Sequence, residues 1–222
     1  MSVITKEVLL EKMSNGSIGF NPPLDEYQLH NHSVDLRLGF TFVVPKRWHM
    51  TQKGREALTI DHFDPKNPDY FEVLELEKGQ YFELLPREHI SVATFEAVKI
   101  PEDVMAVLYP RSSTNRRGLS VDLTGIVDAG YEGQLIIPIR NNTETQTIRL
   151  YPGERFCQLV FETLDSAVIP RLSKYHKHDI IEGFIPDKEK ENKFITTGEI
   201  LALKKQFPAI ELPATDKKPE TK

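Results

Sequence analysis

Short apolar runs, interrupted every few residues by turn formers, set the texture of this chain. Hydrophobic and polar positions alternate, or cluster briefly, at Ser33–Leu38, Thr41–Val44, Tyr81–Leu85 and Ile90–Thr94. The pattern returns at Val104–Leu108, Leu135–Ile139, Thr147–Leu150 and Gln158–Phe161. Lys78-Gly79, Pro86, Pro101, Asn141-Asn142 and Pro152-Gly153 punctuate them. Strands this short and evenly spaced predict an antiparallel barrel or jelly roll rather than a βαβ fold.

The ends read differently. Ile4–Met13 places Val8, Leu9 and Met13 apolar in a polar run, which predicts a short amphipathic helix with Thr5 at its cap. Lys46–Tyr70, polar with scattered His and Pro, reads as a long loop inserted in the β scaffold. After Pro170 charge dominates, so a mainly β domain over 1–172 is expected, followed by a charged extension over 173–222. Within that extension Thr197–Phe207 predicts a short helix capped by Thr197, with Lys204-Lys205 suited to the negative end of its dipole. The final PATDKKPETK is expected to be disordered.

Composition narrows the function classes. At 222 residues with 39% hydrophobic and 27% charged side chains, the chain has enough material for one sizeable core. A net charge of −5 argues against a general nucleic-acid binder but leaves room for a small anionic ligand held by a few arginines. The single cysteine, Cys157, permits no intrachain disulfide. With no apolar leader or long apolar run, a soluble cytoplasmic protein that engages neither membrane nor nucleic acid is expected.

Three clusters carry candidate chemistry. Arg111-Ser112-Ser113-Thr-Asn-Arg116-Arg117-Gly118 follows a strand and mixes fixed cations with hydroxyls, as phosphate oxygens require; taken alone it is equally an ordinary solvated turn. Gly125-Ile-Val-Asp128-Ala-Gly130-Tyr131-Glu-Gly133 offers a carboxylate to orient water and a flat ring for a sugar; alone it is equally a hairpin with a packed tyrosine. Tyr151-Pro-Gly-Glu-Arg-Phe-Cys-Gln158 is a turn feeding a strand, with an amide that both donates and accepts. His30-x-His32 and His176-x-His178 have a spacing known from metal sites, but lack a third ligand and read as solvated loop histidines.

Taken in order, these segments resemble the family of trimeric dUTP diphosphatases (dUTPases) and dCTP deaminases. Ser33-Val-Asp35-Leu-Arg-Leu-Gly39 resembles its first motif, Pro110-Arg-Ser-Ser113 with Arg116 and Gly118 its second, Gly125–Gly133 its third, and Pro152–Leu159 its fourth. The resemblance implies a dUTPase-like distorted β-barrel or jelly roll with a short N-terminal helix, to which the residue pattern adds a C-terminal helical extension. It also implies a deoxynucleoside triphosphate substrate, a homotrimer with sites shared between subunits, and Mg²⁺ held through the phosphates, with Asp35 available to its outer shell. Asp128 then corresponds to the water-activating aspartate. Tyr131 packs on deoxyribose, Gly133 begins the hairpin that reads the base, and Arg111, Ser112, Ser113, Arg116 and Gln158 bind phosphates. Lys174-Tyr175 resembles the deaminase tail over the triphosphate.

The layout is similar to the deaminase branch, including Thr94-Phe-Glu-Ala-Val-Lys-Ile-Pro101. Deaminases of this family, however, carry a proton-shuttling glutamate on the strand after the third motif, where this chain has Pro138. Proline has no titratable group and no N–H, so it cannot relay a proton. A proline there also implies a strand that lies at an edge or pairs on one side only at that point. The expectation is therefore Mg²⁺-dependent hydrolysis of dUTP to dUMP and pyrophosphate. The alternatives are dCTP deamination, alone or combined with dUTP hydrolysis, and a non-catalytic deoxynucleotide-binding regulator. The Gly-rich closing arm of many dUTPases has only the fragment Gly183-Phe184 here. Zinc-type cytidine deamination needs a pair of cysteines the chain does not have.

Overall fold

The computed structural model describes residues 2–59, 61, 70–122, 125–169 and 191–207. Helix α1 (Lys6–Ser14) leads into β1 (Gly19–Asn21), β2 (Val34–Pro45), β3 (Trp48–Thr51), β4 (Gly54–Ala57), β5 (Phe71–Glu75), β6 (Phe82–Leu84), β7 (His89–Lys99) and β8 (Val104–Pro110). Helix α2 (Ser112–Arg116) is followed by β9 (Leu119–Val121), β10 (Ile126–Val127), β11 (Glu132–Asn141), β12 (Ile148–Leu150) and β13 (Arg155–Thr163), and then by α3 (Asn192–Thr197) and α4 (Ile200–Gln206). By contacts the chain divides into two units: Met1–Thr59 with Asp69–Ile185, and Ile60–Pro68 with Pro186–Lys222.

The first unit is the expected mainly β body, a curled antiparallel half-barrel. Its main sheet runs β10-β8-β13-β2-β7-β11-β9, with β1 and β5 added at its sides. Alternation decides which side chains enter. Along β2, Leu36, Leu38 and Phe42 reach the core; along β11, Ile137 and Ile139 do, and β13 adds Phe156, Leu159 and Phe161. The two alternating segments at 33–38 and 41–44 are one strand, joined through Gly39. A Cβ at Gly39 would lie 2.8 Å from the Ala93 carbonyl, and the β2–β7 register shifts between Leu38 and Phe42, so a close backbone approach requires the glycine.

Three local readings differ. The 46–70 insert is not all loop: β3 and β4 pair from Trp48↔Ala57 to Thr51↔Gly54, and the Arg55 guanidinium lies 4.2 Å from the Trp48 ring centre. Gly54, at φ 110°, supplies the turn that makes the hairpin possible. The arginine-serine segment is not a bare turn but the one-and-a-half-turn helix α2. At the C-terminal end, Thr197 closes α3 instead of capping a helix, because Gly198 at φ 74° ends α3 and Glu199 caps α4. Thr5 does stand at the N-cap of α1, without a side-chain capping bond.

Lys174, Tyr175, the second histidine pair, Gly183-Phe184 and the terminal segment expected to be disordered lie outside the described residues. Among the described residues no helix is long and apolar enough to cross a membrane.

Candidate active site

The site is built on Asp35. This β2 side chain is 1% exposed, and a carboxylate so placed stays ionised only with charged or hydrogen-bonding partners. Arg111 Nε donates to its Oδ2 at 2.8 Å, Arg155 Nη1 at 3.2 Å, and His30 Nε2 lies 3.1 Å away. Register explains the convergence: β13 sits between β2 and β8, with Gln158 opposite Asp35 on one side and Tyr109 on the other. Arg111 is further fixed by a 3.0 Å bond from Nη1 to the Arg155 carbonyl. Cavity-facing arginine geometry is thus set before any ligand arrives.

Above this cluster lies an open cavity of about 580 Å³. Arg111, Ser112, Ser113 and Gln158, all expected to hold phosphate, line it together with Asp35. Helix α2 explains the serines: Arg111 is its N-cap, Thr114 is buried beneath it, and Ser112 and Ser113 are exposed above. Gln158 Oε1 accepts from the Ser33 hydroxyl at 3.3 Å and its Nε2 donates to the Pro110 carbonyl at 3.5 Å, so both ends of the amide are oriented at the cavity wall. Arg116 is exposed on α2 and does not line the cavity.

The Asp128–Tyr131 turn lies elsewhere. Val127 pairs with Ala106, five residues before Arg111 on β8, so the turn begins roughly 17 Å along the strand from the arginine. Asp128 is exposed between buried Val127 and Ala129. Gly130, at φ 80°, lets the Tyr131 N–H return to the Asp128 carbonyl at 3.1 Å. Tyr131 packs against the core edge and its hydroxyl donates to the Gln134 carbonyl at 2.6 Å; burial pushes its pKa up to about 12. Gly133, the second residue of β11, lies opposite Val98. One chain therefore brings together the residues expected to hold phosphate but keeps Asp128, Tyr131 and Gly133 away from them.

Pro138 lies opposite Ser91 in the β11–β7 register. Its carbonyl accepts from the Asp122 N–H at 2.9 Å, so its nitrogen faces the same side, beyond the end of β9 at Val121. One donor is thus missing toward Asp122, just past the last β11–β9 pair at Ile139↔Val121, while the pairing with β7 continues through Pro138. β11 is flanked by β7 and β9 and is not an edge strand, and Pro138 is engaged toward both neighbours rather than one. The ring sits on the outer face of β11, as does Ile136, which packs against Val43 and Ala93.

Sequence reasoning missed the supports. Gln28 and Glu96 are both buried: Gln28 Nε2 donates to Glu96 Oε1 at 2.8 Å and to the Asp35 carbonyl at 3.0 Å, while the Arg37 N–H donates to Glu96 Oε2 at 2.9 Å. Alternation along β7 places Glu96 inward with Val92, Thr94 and Val98, and an inward charge is a legible signal for such a network. Thr94 pins the β11 bulge, its hydroxyl accepting from the Leu135 N–H at 3.0 Å. His30 and His32, read as solvated, line the cavity. Among the described residues no three His, Cys, Asp or Glu side chains form a metal-binding group.

A family model described as dCTP deaminase-like matches residues 3–164. The chain belongs to that family. A dCTP deaminase, dUMP-forming, of Methanobrevibacter smithii is 35% identical over 188 residues, covering 80% of this chain and 91% of the relative. The enzyme of the same name from Dictyoglomus turgidum is 37% identical over 158 residues, covering 70% of this chain and 76% of the other. The solved 2'-deoxycytidine 5'-triphosphate deaminase of Agrobacterium tumefaciens superposes with a TM-score of 0.55 at 22% identity, covering 72% of this chain and 48% of that one, a likeness of fold. As a dCTP deaminase-like protein, the chain keeps the Arg111-Ser112-Ser113 and Asp128–Tyr131 segments in ordered structure, while residue 138 is proline.

Proposed function

We propose that this protein forms dUMP and pyrophosphate from deoxypyrimidine nucleoside triphosphates, accepting dCTP as its dUMP-forming relatives are named to do and turning over dUTP faster. The observation that carries this reading is the cavity in which Arg111, Ser112, Ser113 and Gln158 converge over buried Asp35. A guanidinium, two hydroxyls and an amide suit the oxygens of a polyphosphate and offer little to a neutral ligand. From dCTP two waters are consumed. One displaces the C4 amine as ammonia, and the other attacks the α-phosphorus and releases pyrophosphate.

The pyrophosphate-releasing half rests on Asp128, an exposed carboxylate able to accept a proton from the attacking water. Tyr131, held by Gln134, presents its remaining ring face to deoxyribose. Because these residues stand roughly 17 Å from Arg111 along β8, a complete site needs the Asp128 turn of one copy against the phosphate cavity of another, which supports the homotrimer. Asp35 is occupied by two arginines and a histidine, so Mg²⁺ would arrive on the phosphates and add charge neutralisation there.

The amine-releasing half has weaker support. Pro138 carries no acid or base, which favours a second reading: hydrolysis of dUTP alone. Incubation with dCTP and dUTP separately, following ammonia and pyrophosphate, tests both. Ammonia from dCTP supports the first reading, pyrophosphate from dUTP with no ammonia from dCTP supports the second, and neither product with nucleotide still bound supports a regulator.

A further inference from the structure

Two histidines in the cavity wall have no part in the reading above. Residues 29–34 form a tight turn entering β2: the His30 N–H donates to the Ser33 carbonyl at 2.9 Å, Leu29 bridges Val34, and the Lys6 N–H donates to the Asn31 carbonyl at 2.8 Å. The turn is therefore clamped both within itself and to the start of α1. It presents His30 beside Arg111, with 45% of the His30 side chain exposed on the cavity side and Nε2 resting 3.1 Å from Asp35 Oδ2.

The charge arrangement around that ring sets its role. Asp35 is the carboxylate it faces, and Arg111 and Arg155 already bind the same oxygen at 2.8 Å and 3.2 Å. Glu96 lies deeper and is consumed by Gln28 and the Arg37 N–H. Two guanidiniums suffice for one buried carboxylate, so His30 is the partner Asp35 can release at least cost. Arg111, by contrast, spends Nε on Asp35 and Nη1 on the Arg155 carbonyl, and only part of its fork remains for a ligand. A polyanion in this cavity needs a further donor, and His30 is placed to be one.

We propose that His30 is a polyphosphate ligand: resting on Asp35 in the cavity wall, it turns its ring N–H to the phosphate oxygens when they enter. This rests on the polyphosphate reading of the cavity and goes beyond it by assigning a residue outside the arginine-serine segment. It confines the effect to the phosphate chain, so ligands lacking that chain are indifferent to His30.

The test uses inorganic tripolyphosphate, which has neither base nor sugar, titrated calorimetrically into the full chain and into His30→Ala and His30→Gln. Wild type binds; loss of one hydrogen bond to a charged group weakens His30→Ala by about tenfold, while His30→Gln, which keeps a donor, recovers most of the affinity. Deoxycytidine and deoxyuridine binding changes less than twofold, which a merely structural role for His30 would not spare. Unchanged tripolyphosphate affinity in folded His30→Ala overturns the assignment of His30 alone. Equal weakening in His30→Gln and His30→Ala overturns the donor role. No binding to wild type overturns the polyphosphate cavity itself, and the His30 assignment with it.

Discussion

Arg111 Nε and Asp35 Oδ2 stand 2.8 Å apart, one partner in the cavity wall and the other 1% exposed. The pair couples folding to cavity geometry, because an arginine of the cavity wall is oriented by a carboxylate the fold has buried. Asp35→Asn removes the charge that Arg111, Arg155 and His30 share. Breaking such a buried pair is expected to destabilise by about 3 kcal/mol. Urea unfolding measures that loss, and tripolyphosphate affinity should fall in the same variant.

Asp128→Asn separates chemistry from binding. Pyrophosphate release should drop by at least about 100-fold, the usual scale for losing a positioned general base, while tripolyphosphate affinity is retained. Single-turnover assays with calorimetry on the same preparation check both. Substantial residual turnover would assign water activation to another group.

Pro138→Glu tests the amine-releasing half. The backbone tolerates the change because the nitrogen at 138 faces Asp122, whose carbonyl a restored N–H can meet. Ammonia release from dCTP should rise by about tenfold or more, with pyrophosphate release from dUTP little altered.

Tyr131 sets a pH response. Burial raises its pKa to about 12, and its hydroxyl donates to the Gln134 carbonyl. The folded state thus holds the phenolic proton longer than the unfolded chain does. Its contribution to stability is complete below pH 10 and is lost as pH climbs from about 10 to about 12. Denaturation midpoints across that range should fall less in Tyr131→Phe than in wild type. Tyr131→Ala should also let UTP compete better with dUTP.

Cys157 is fully buried, and burial pushes its thiol well above the usual cysteine range. At neutral pH it is protonated and inaccessible. Iodoacetamide should leave the native protein unlabelled and modify one thiol after unfolding, as mass spectrometry would show.

Much of the fold was legible because strand alternation is local. Leu36, Leu38, Ile137 and Ile139 announce their inward face by spacing alone. The hairpin at Trp48–Ala57 was missed because its signal, Gly54 at a positive φ with the Arg55 guanidinium over the Trp48 ring, is short and polar. The phosphate residues were legible as a cluster since Arg111, Ser112 and Ser113 are contiguous. The roles of Gln28 and Glu96 were not, because they meet each other across 68 residues that only the sheet brings near, and His30 shares the cavity wall with Arg111 for the same reason. The distance between Asp128 and Arg111 was equally hidden: the segments are close in sequence, but the β8–β10 register places them apart.

The most direct measurement incubates the purified chain with dUTP and with dCTP in Mg²⁺ and quantifies dUMP, pyrophosphate and ammonia over time. Equimolar dUMP and pyrophosphate are expected from dUTP, and the same products from dCTP more slowly, with ammonia released in step. Absence of pyrophosphate from both nucleotides would contradict dUMP formation as the function of this site.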